Sequence, residues 1–326
     1  MKMDICTERW AYKVPFRIAR GVEVALDVVV VTLEDIDGHI GRGEAAGVDY
    51  HGETVASMCE QLDGVRTHVE KGMARSRLQE HLPPGGARNA LDCALWDLQT
   101  KALGISIWTL LGMHAPHPIT TCFTLGIDTD EATAAAAIQA RNLPWLKLKV
   151  DAERHLEVVR LVRRHCPAAK LIVDANQSWS VDLLRRLAPE LVALNVALIE
   201  QPLPMGADEP LGTYRGPIPL AADESCVDRA SLGAVAQRYQ VVNIKLDKCG
   251  GLTEALALSA AAQKVGLRIM VGCMAGTSLA MAPGMVVAQQ ASFVDLDGPL
   301  LHALDRNPAI EYRNGVMALP PPQLWG

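Results

Sequence analysis

The sequence predicts an α/β protein, namely a (β/α)8-type barrel preceded by an N-terminal α+β capping domain. The first observation is that five short apolar segments each end near a charged residue: Lys149, Asp174, Glu200, Asp223 and Lys245. Their steps of 25, 26, 23 and 22 residues (174−149, 200−174, 223−200 and 245−223) each equal the length of one strand, one helix and two loops. The second observation is that residues 1–50 have a different, hairpin-like pattern.

Residues 1–113 are predicted to form the capping domain. The run ALDVVVVTLEDIDGHIGRGEAA places two β-rich segments around Asp37-Gly38, which is a hairpin turn signal. Residues 87–103 follow as a predicted helix with one apolar face and with Gly104 as its C-cap. The apolar face consists of Ala90, Leu91, Ala94, Leu95 and Leu98. An antiparallel sheet followed by helices is typical of an α+β unit.

Residues 114–305 are predicted to form the barrel, because strand and helix patterns alternate from His117 onward. There are eight strand candidates, the number that a closed barrel needs: ITTCFTLG, LKLKV, LIVDAN, ALIEQP, LAADES, VVNIKL, RIMVGC and SFVDLD. Residues 151–165 fit a helix that begins acidic and ends basic, and residues 252–266 fit one rich in Ala and Leu. Residues 306–326 are expected to run back to the capping domain.

Composition limits the possible function classes. The chain has 326 residues and a net charge of −6 without an obvious basic face, so a nucleic-acid partner is not expected. The N-terminus has no signal-like apolar core, and no run of about 18 apolar residues follows, so we expect a cytoplasmic protein without membrane association. The eight cysteines contain no C-x-x-C pair and indicate small buried residues, not disulfides or a zinc site.

Three carboxylates end successive predicted strands. Asp174, Glu200 and Asp223 lie at matched depth, and strand ends on one rim of a barrel meet in one mouth. Each alone has an ordinary explanation, because an acidic residue after a strand often caps the next helix. Together they favour a Mg²⁺ site, since Mg²⁺ takes oxygen ligands and leaves positions for substrate. Asn176 either supports that site or starts the next helix.

Two lysines on one predicted strand point the same way. Lys147 and Lys149 are two residues apart, so both side chains are expected inside the barrel. Burial and mutual repulsion are expected to depress their pKa and to favour a neutral amine that accepts a proton. Lys245, on the sixth strand, is expected to reach one substrate carbon from the face opposite Lys149. Lys248 is expected to be a loop or ion-pair residue.

Asp295 and Asp297 are also two residues apart, at the end of the eighth predicted strand. Carboxylates with no metal partner of their own suit an ammonium group on a substrate. The alternative is a turn signal before the following Gly-Pro pair, and the residues alone leave both readings open. Glu224 is expected to point away from Asp223 by strand alternation and to be structural.

The segments KLKV, DAN, IEQP, DES, NIKLDKCGG and DLDGP together resemble the enolase superfamily, in its muconate-lactonizing-enzyme subgroup. DLDGP, GGARNALDCALWDL and LTEALALS make the chain similar to dipeptide epimerases of the bacterial L-Ala-D/L-Glu type. The resemblance extends from the IARG segment, residues 18–21, to DLDGP. It implies Mg²⁺ on Asp174, Glu200 and Asp223, and acid/base catalysis by Lys149 and Lys245. It also implies substrate contacts from Lys147, Thr124, Met274, Asp295 and Asp297, of which the two aspartates bind the α-ammonium group of the dipeptide.

In the implied reaction, a proton leaves the α-carbon from one face and another is returned to the opposite face, which inverts the centre. Mg²⁺ and Lys147 stabilise the charge of the enolate, and no redox cofactor is needed. One departure lies in the segment PFRIARGVE, where relatives that act on L-Ala-D/L-Glu carry arginine at the position of Glu23. Arg17 and Arg20 are candidates to replace that arginine. A hydrophobic or cationic second residue of the dipeptide is the alternative.

Two other functions are open from the sequence. An o-succinylbenzoate synthase or a cycloisomerase of the same subgroup uses similar lysines and metal ligands, but its substrate lacks the ammonium group that Asp295 and Asp297 suit. The other is a catalytically silent barrel that binds only Mg²⁺ and a carboxylate ligand. Such a protein would not explain why every catalytic position carries a competent residue. The expected partner is a small dipeptide, and assembly into a homo-oligomer stays open.

Overall fold

The structure is a computed structural model and describes residues 1–18, 21–113 and 115–326. An antiparallel sheet in the order β1-β2-β3 forms the N-terminal part, from β1 (Lys2–Ile18), β2 (Gly21–Glu34) and β3 (Ile40–Ala45). The predicted hairpin is confirmed, since β2 and β3 pair around a turn in which Gly38 has a φ of 85°. β1 has no counterpart in the prediction because it lacks an apolar run. Within residues 1–15, only Met3 and Tyr12 are buried.

Helices α1 (Val55–Glu70), α2 (Leu78–His81), α3 (Gly86–Leu103) and α4 (Ile107–Leu110) follow the sheet. α3 matches the predicted helix, and Gly104 ends it in the left-handed conformation, with a φ of 63°. The helix packs closely on β3, because a Cβ on Gly43 would lie 2.1 Å from the Ala90 carbonyl oxygen. Buried apolar side chains of β1–β3, α1 and α3 form a core of their own.

A short strand, β4 (Ile119–Thr120), precedes the barrel. Within residues 115–326, all eight predicted barrel strands are present, and they run parallel in one sheet in sequence order. These strands are β5 (Phe123–Leu125), β6 (Trp145–Lys149), β7 (Lys170–Asp174), β8 (Val196–Glu200), β9 (Leu220–Ala222), β10 (Val241–Lys245), β11 (Arg268–Gly272) and β12 (Phe293–Asp295). The helices around them are α5 (Asp130–Ala140), α6 (Leu156–His165), α7 (Val181–Ala193), α8 (Leu232–Arg238), α9 (Leu246–Cys249), α10 (Leu252–Lys264), α11 (Ser278–Ala288) and α12 (Gly298–Leu301).

The barrel closes between β12 and β5 through single hydrogen bonds in place of a regular ladder. The Cys122 N–H donates to the Val294 carbonyl oxygen at 2.9 Å, and the Leu296 N–H donates to Oγ1 of Thr121 at 2.9 Å. Below the polar strand ends, a buried apolar layer that includes Ile172 fills the interior. The polar strand ends therefore rest on a closely packed apolar layer.

Two predicted helices differ in detail from those observed. The helix predicted over 151–165 begins only at Leu156, because the Asp151 carboxylate accepts the N–H groups of Glu153 and Arg154 and folds this stretch into a turn. The helix predicted over 252–266 is α10, and Gly266 lies beyond its end with a φ of 81°. Both differences are confined to the helix ends.

The C-terminal residues contact the barrel edge and α3. β14 (Val316–Met317) pairs antiparallel with β4, and β13 (Tyr312–Arg313) pairs antiparallel with β14. The Trp325 Nε1–H donates to the Cys93 carbonyl oxygen at 3.0 Å, and the Gly326 N–H donates to Oδ1 of Asp97 at 2.7 Å. The division of the chain near residues 113 and 305 stays a prediction. Among the helices of the described residues, none has the length and apolar character needed to cross a bilayer.

Candidate active site

An open cleft with a cavity volume of about 150 Å³ lies at the carboxyl ends of the barrel strands, below the N-terminal part. Barrels of this kind hold their active sites at that face. The N-terminal part lines the cleft with Tyr12, Glu23, Asp49 and Tyr50, among others. The barrel lines it with polar and apolar side chains that include Thr124, Lys147, Lys149, Asn176, Asp223, Glu224, Lys245, Met274, Asp295 and Asp297. All predicted site residues except Asp174 and Glu200 thus line one cleft.

Lys147 lies at the centre of the polar strand ends and is 1% exposed. Its Nζ is 2.7 Å from Oδ2 of Asp295, 2.8 Å from Oε2 of Glu200 and 3.0 Å from Oδ2 of Asp174. Asp174 and Glu200 are fully buried against this ammonium group. One lysine therefore connects two of the predicted metal ligands with the first aspartate of the D-x-D pair.

Lys149 and Lys245 enter the cleft from opposite sides of the barrel. The strands that carry them, β6 and β10, are separated in the sheet by β7, β8 and β9. Lys149 Nζ lies 2.7 Å from Oδ2 of Asp174, and Lys245 Nζ lies 2.8 Å from Oδ2 of Asp223. A substrate carbon held between the two lysines would have one amine on each face.

The expectation of a depressed pKa is wrong for Lys147. Burial lowers the pKa of Lys147, but the charges of Asp295, Glu200 and two further carboxylates outweigh burial and raise that pKa well above its ordinary value. For Lys245, the charge of Asp223 likewise outweighs burial and raises the pKa. Contacts with carboxylates thus outweigh both burial and the repulsion between lysines.

The buried carboxylates of Asp174 and Glu200 respond differently to this environment. Burial favours a higher pKa for Asp174, but the ammonium groups of Lys149 and Lys147 hold that pKa well below its usual range. Burial and the neighbouring charge of Asp174 raise the pKa of Glu200 to about 7. The crowding of negative charge at the strand ends is therefore only partly neutralised by the lysines.

Asp223 is held between two lysines. Its Oδ2 contacts Lys245, and its Oδ1 lies 2.7 Å from Nζ of Lys248, whose side chain is fully buried. Burial favours a higher pKa for Asp223, but these two ammonium groups lower that pKa strongly. Lys248 is thus an ion-pair residue, one of the two roles predicted for it.

The chemistry of the donor set fits a hard dication. The three carboxylates are buried at the ends of the adjacent strands β7, β8 and β9, and a dication would relieve the repulsion that raises the pKa of Glu200. Among the described residues, the only three acidic, histidine or cysteine side chains whose ligand atoms all lie within 4.8 Å of one another are Asp35, Asp37 and His39 in the β2–β3 turn. The strand-end carboxylates must therefore draw closer together around an ion.

Two further polar residues orient the carboxylates. Asn243 lies two residues before Lys245 on β10, and its Nδ2–H donates to Oε1 of Glu200 at 2.8 Å. Oε1 of Gln201 accepts the Asp223 N–H at 2.9 Å. The sequence analysis missed both residues. Strand alternation could have found Asn243, because it points to the same side as Lys245.

Asp295 and Asp297 both line the cleft but are not equivalent. Asp295 is not unpaired, since its Oδ2 binds Lys147, and the Cys122 Sγ–H donates to its Oδ1 at 3.0 Å. Asp297 accepts the Thr124 N–H at 2.6 Å. Burial and the charge of Asp295 raise the pKa of Asp297 to about 7. Asp297 is therefore the aspartate whose ionised form a cationic ligand would stabilise more.

Glu23 lines the cleft from β2, and the Tyr12 hydroxyl donates a hydrogen bond to its carboxylate. The ring of Tyr12 stacks on His302, with ring centroids 4.8 Å apart. Arg20 and the side chain of Arg17 lie outside the described residues.

Two neighbours of the predicted metal ligands also reach the cleft. Glu224, expected to point away from Asp223, lines the same cleft, because β9 ends at Ala222 and strand alternation no longer holds beyond it. Asn176 lines the cleft and does not start a helix, since α7 begins at Val181. Both residues therefore border the space that a ligand would occupy.

The loop after β3 contributes Asp49 and Tyr50 to the cleft, and neither was predicted. Their local sequence, GVDYHGE, has only the composition of a loop. Only the docking of the N-terminal part on the barrel brings them to the strand ends. No local pattern carries that information.

The fold and the site are those of a capped barrel with two lysines facing each other above buried carboxylates. Residues 1–112 match the family model of the mandelate racemase/muconate lactonizing enzyme N-terminal domain, and residues 130–323 match the enolase C-terminal domain-like family. The chain belongs to the enolase superfamily, in its mandelate racemase/muconate lactonizing enzyme family.

Two curated relatives are similar over most of this chain. L-Ala-D/L-Glu epimerase of Escherichia coli (strain K12) is 43% identical over 97% of this chain and 99% of its own length. N-acetyl-D-glutamate racemase of Pseudoalteromonas sp is 42% identical over 92% of this chain and 95% of its own length. Both names describe inversion at an α-carbon.

Solved structures show the same similarity. An enolase family member from Agrobacterium tumefaciens, with bound sodium and L-Ala-L-Glu, has a TM-score of 0.96 and 39% identity over 99% of both chains. Dipeptide epimerase from Methylococcus capsulatus, complexed with Mg and L-Arg-D-Lys, has a TM-score of 0.88 and 30% identity over 98% of both chains. Related sites thus hold dipeptides with either an acidic or a cationic second residue.

Proposed function

We propose that the protein is a Mg²⁺-dependent dipeptide epimerase, which inverts the α-carbon of the C-terminal residue, with L-Ala-D/L-Glu as its first candidate substrate. The observation that carries the proposal is that Lys149 and Lys245 face one cleft from opposite sides, beside the D-x-D pair. The names of the similar proteins support the same class of reaction.

The two lysines perform the proton transfers. One amine removes the α-proton from one face of the substrate, and the ammonium group of the other lysine delivers a proton to the opposite face. Each lysine is held by a different carboxylate, Lys149 by Asp174 and Lys245 by Asp223, so their positions are fixed independently. Reversal of the roles converts the product back, as an epimerase requires.

Asp174, Glu200 and Asp223 would hold Mg²⁺. When bound, Mg²⁺ supplies positive charge that opposes protonation of the nearby lysines and stabilises the negative charge that develops on the substrate carboxylate. Lys147, buried at the base of the cleft, contributes a further positive charge toward the same oxygen atoms. The enolate is thus stabilised where its charge appears.

The D-x-D pair selects substrates with an α-ammonium group. The Thr124 N–H holds the Asp297 carboxylate in the cleft, and the raised pKa of Asp297 supports the proposal because a cation nearby would stabilise the ionised form. This disfavours an o-succinylbenzoate synthase or a cycloisomerase, whose substrates carry no ammonium group. It also favours a dipeptide over N-acetylglutamate, the type of compound that names one similar protein.

A cationic second residue of the dipeptide is the second candidate, and Glu23 is the observation that favours it. Glu23 places a carboxylate in the cleft wall, hydrogen-bonded by Tyr12. An acidic substrate side chain beside it would be repelled unless an arginine compensates. L-Ala-D/L-Glu keeps first place because a relative that is 43% identical over 97% of this chain is named as an epimerase of that dipeptide.

The test is a screen of L-Ala-L-Xaa dipeptides in deuterated water with Mg²⁺, in which mass spectrometry reads deuterium at the α-carbon and chiral chromatography reads epimerisation. Incorporation with inversion for one group of dipeptides supports the proposal. If N-acetylglutamate incorporates deuterium and no dipeptide does, the protein would be an N-acylamino acid racemase and not a dipeptide epimerase. No exchange in any compound would indicate a silent barrel. The cytoplasmic location and the absence of a nucleic-acid partner stay predictions.

A further inference from the structure

The segment GGARNALDCALWDL has no part in the proposed chemistry, but it lies against the turn that follows Lys245. In α3, the Arg88 guanidinium donates to the carbonyl oxygens of Cys249 and Gly250 at 2.6 and 3.1 Å. Asp92, one helical turn later, accepts the Thr253 N–H at 2.8 Å. The polar face of this helix therefore fixes the chain directly after β10.

Asp247 lies within that turn, two residues after Lys245, and is 5% exposed. Its Oδ1 accepts two successive backbone N–H groups of the N-terminal part, those of Ala46 and Gly47, each at 3.0 Å. The side chain of Asn89 in α3 makes a further hydrogen bond to it. Burial raises the pKa of this carboxylate to about 7. Burying the acid therefore costs desolvation energy, which an apolar residue at this position would not cost.

The segment held by Asp247 is a wall of the cleft. Ala46, Gly47, Asp49 and Tyr50 all line the cleft beside the lysines. The next amide, the Val48 N–H, donates to a carboxylate of the N-terminal part itself, that of Glu53, at 2.8 Å. Three successive amides are thus held by two acids, one from the barrel and one from the N-terminal part.

We propose that Asp247 is a positioning residue, which fixes loop 46–50 as a cleft wall relative to the strand that carries Lys245. Asp247 does not line the cleft and contacts no reacting atom. It acts through the two amides, so that the wall and the lysine belong to one rigid unit. The consequence for turnover rests on the proposed function, but the consequence for the loop does not.

Asp247→Ala leaves the two amides without an acceptor, whereas Asp247→Asn keeps one acceptor oxygen for them and replaces the other oxygen with an uncharged NH₂ group. Asp97→Ala is the matched control, because Asp97 is also buried and accepts two distant amides, those of Arg42 and Gly326, at 2.8 and 2.7 Å. It lies away from the cleft lining. The three variants separate loop positioning from a general loss of stability.

The first measurement is hydrogen exchange, by mass spectrometry, of a peptide that contains residues 46–48. Asp247→Ala should speed exchange there by about tenfold or more, because a released amide exchanges through local opening. Asp247→Asn and Asp97→Ala should leave it within about twofold of the wild type. Equal exchange in Asp247→Ala and the wild type would overturn the proposal whatever the substrate. If Asp247→Ala does not fold, Asn89→Ala replaces it, with faster exchange supporting the proposal and unchanged exchange opposing it.

The second measurement is steady-state kinetics on the dipeptide found by the screen. Asp247→Ala should raise KM by about tenfold with a smaller change in kcat, since a displaced wall weakens substrate positioning. Asp247→Asn should recover most of that loss. A fall in kcat at unchanged KM, or equal losses in Asp247→Ala and Asp97→Ala, would show a structural role only. Failure to find any substrate would bear on the proposed function and leave the exchange result to decide.

Discussion

The Nζ atom of Lys147 lies 2.7 Å from Oδ2 of Asp295, although the two residues stand on β6 and β12. The same ammonium group lies 2.8 Å from Glu200, so it connects the carboxylates at the base of the cleft with the D-x-D pair at its wall. The pair thus consists of one acid that is ion-paired with Lys147, Asp295, and one acid with a raised pKa that lines the cleft, Asp297. This division is the basis of a pH prediction.

Dipeptide binding should strengthen as the pH rises through about 7, the pKa of Asp297. This pKa is raised, so the carboxylate is neutral at lower pH and attracts an ammonium group only after it ionises. The measurement is the dissociation constant of L-Ala-L-Glu between about pH 5.5 and 7.5, a window in which neither its carboxylates nor its ammonium group titrates strongly. N-propionyl-L-Glu, which lacks the ammonium group, is the control and should not show the gain. If the dissociation constants of the two ligands change in the same way with pH, the ammonium group does not bind at Asp297.

Loss of a metal ligand should abolish turnover. Asp174→Asn, Glu200→Gln or Asp223→Asn should each lower kcat/KM by about 10³-fold or more, because a neutral ligand weakens both Mg²⁺ binding and enolate stabilisation. EDTA should remove the activity of the wild type, and added Mg²⁺ should restore it. Full activity after dialysis against EDTA would refute the metal site.

Glu23→Arg should shift substrate choice toward an acidic second residue. The ratio of kcat/KM for L-Ala-L-Glu to that for L-Ala-L-Lys should rise by about tenfold or more, because a charge contact inside the cleft discriminates directly. Glu34→Arg is the control, since Glu34 is exposed at the far end of the same strand and the charge change is identical. If both variants leave the ratio as in the wild type, the residue at position 23 does not discriminate between side chains of the dipeptide's second residue.

The contact of α3 with β3 should tolerate no side chain at Gly43. A Cβ there would lie 2.1 Å from the Ala90 carbonyl oxygen, so Gly43→Ala should lower the free energy of unfolding by about 3 kcal/mol. Gly64 in α1 has no heavy atom within 4 Å of an added Cβ, so Gly64→Ala should raise it by about 0.5–1 kcal/mol through helix propensity. Urea unfolding of both variants measures the difference. Similar midpoints would show that the helix and strand separate readily.

The barrel was predictable from the sequence because its strands are buried runs with a polar residue at one end. That pattern located Lys149, Asp174, Glu200, Asp223 and Lys245, which β6–β10 carry at or just beyond their carboxyl ends. The spacing alone placed them at one rim. Their assembly around one cleft follows from closure of the barrel.

Features set by contacts between distant segments were not predictable. The raised pKa values of Lys147 and Lys245 come from carboxylates on other strands, and strand alternation failed for Glu224 beyond the end of β9. The cleft wall formed by Asp49 and Tyr50 depends on how the N-terminal part docks. Such contacts have no signal in a local window of sequence.

The two-lysine mechanism is tested most directly by α-proton exchange in deuterated water with each substrate epimer separately. Lys149→Ala should lose exchange by about 10²-fold or more for one epimer and much less for the other, and Lys245→Ala should show the opposite preference. Neither variant should epimerise, because inversion needs both faces. The same preference in both variants, or epimerisation at near the wild-type rate in either, would contradict the account and require a single base.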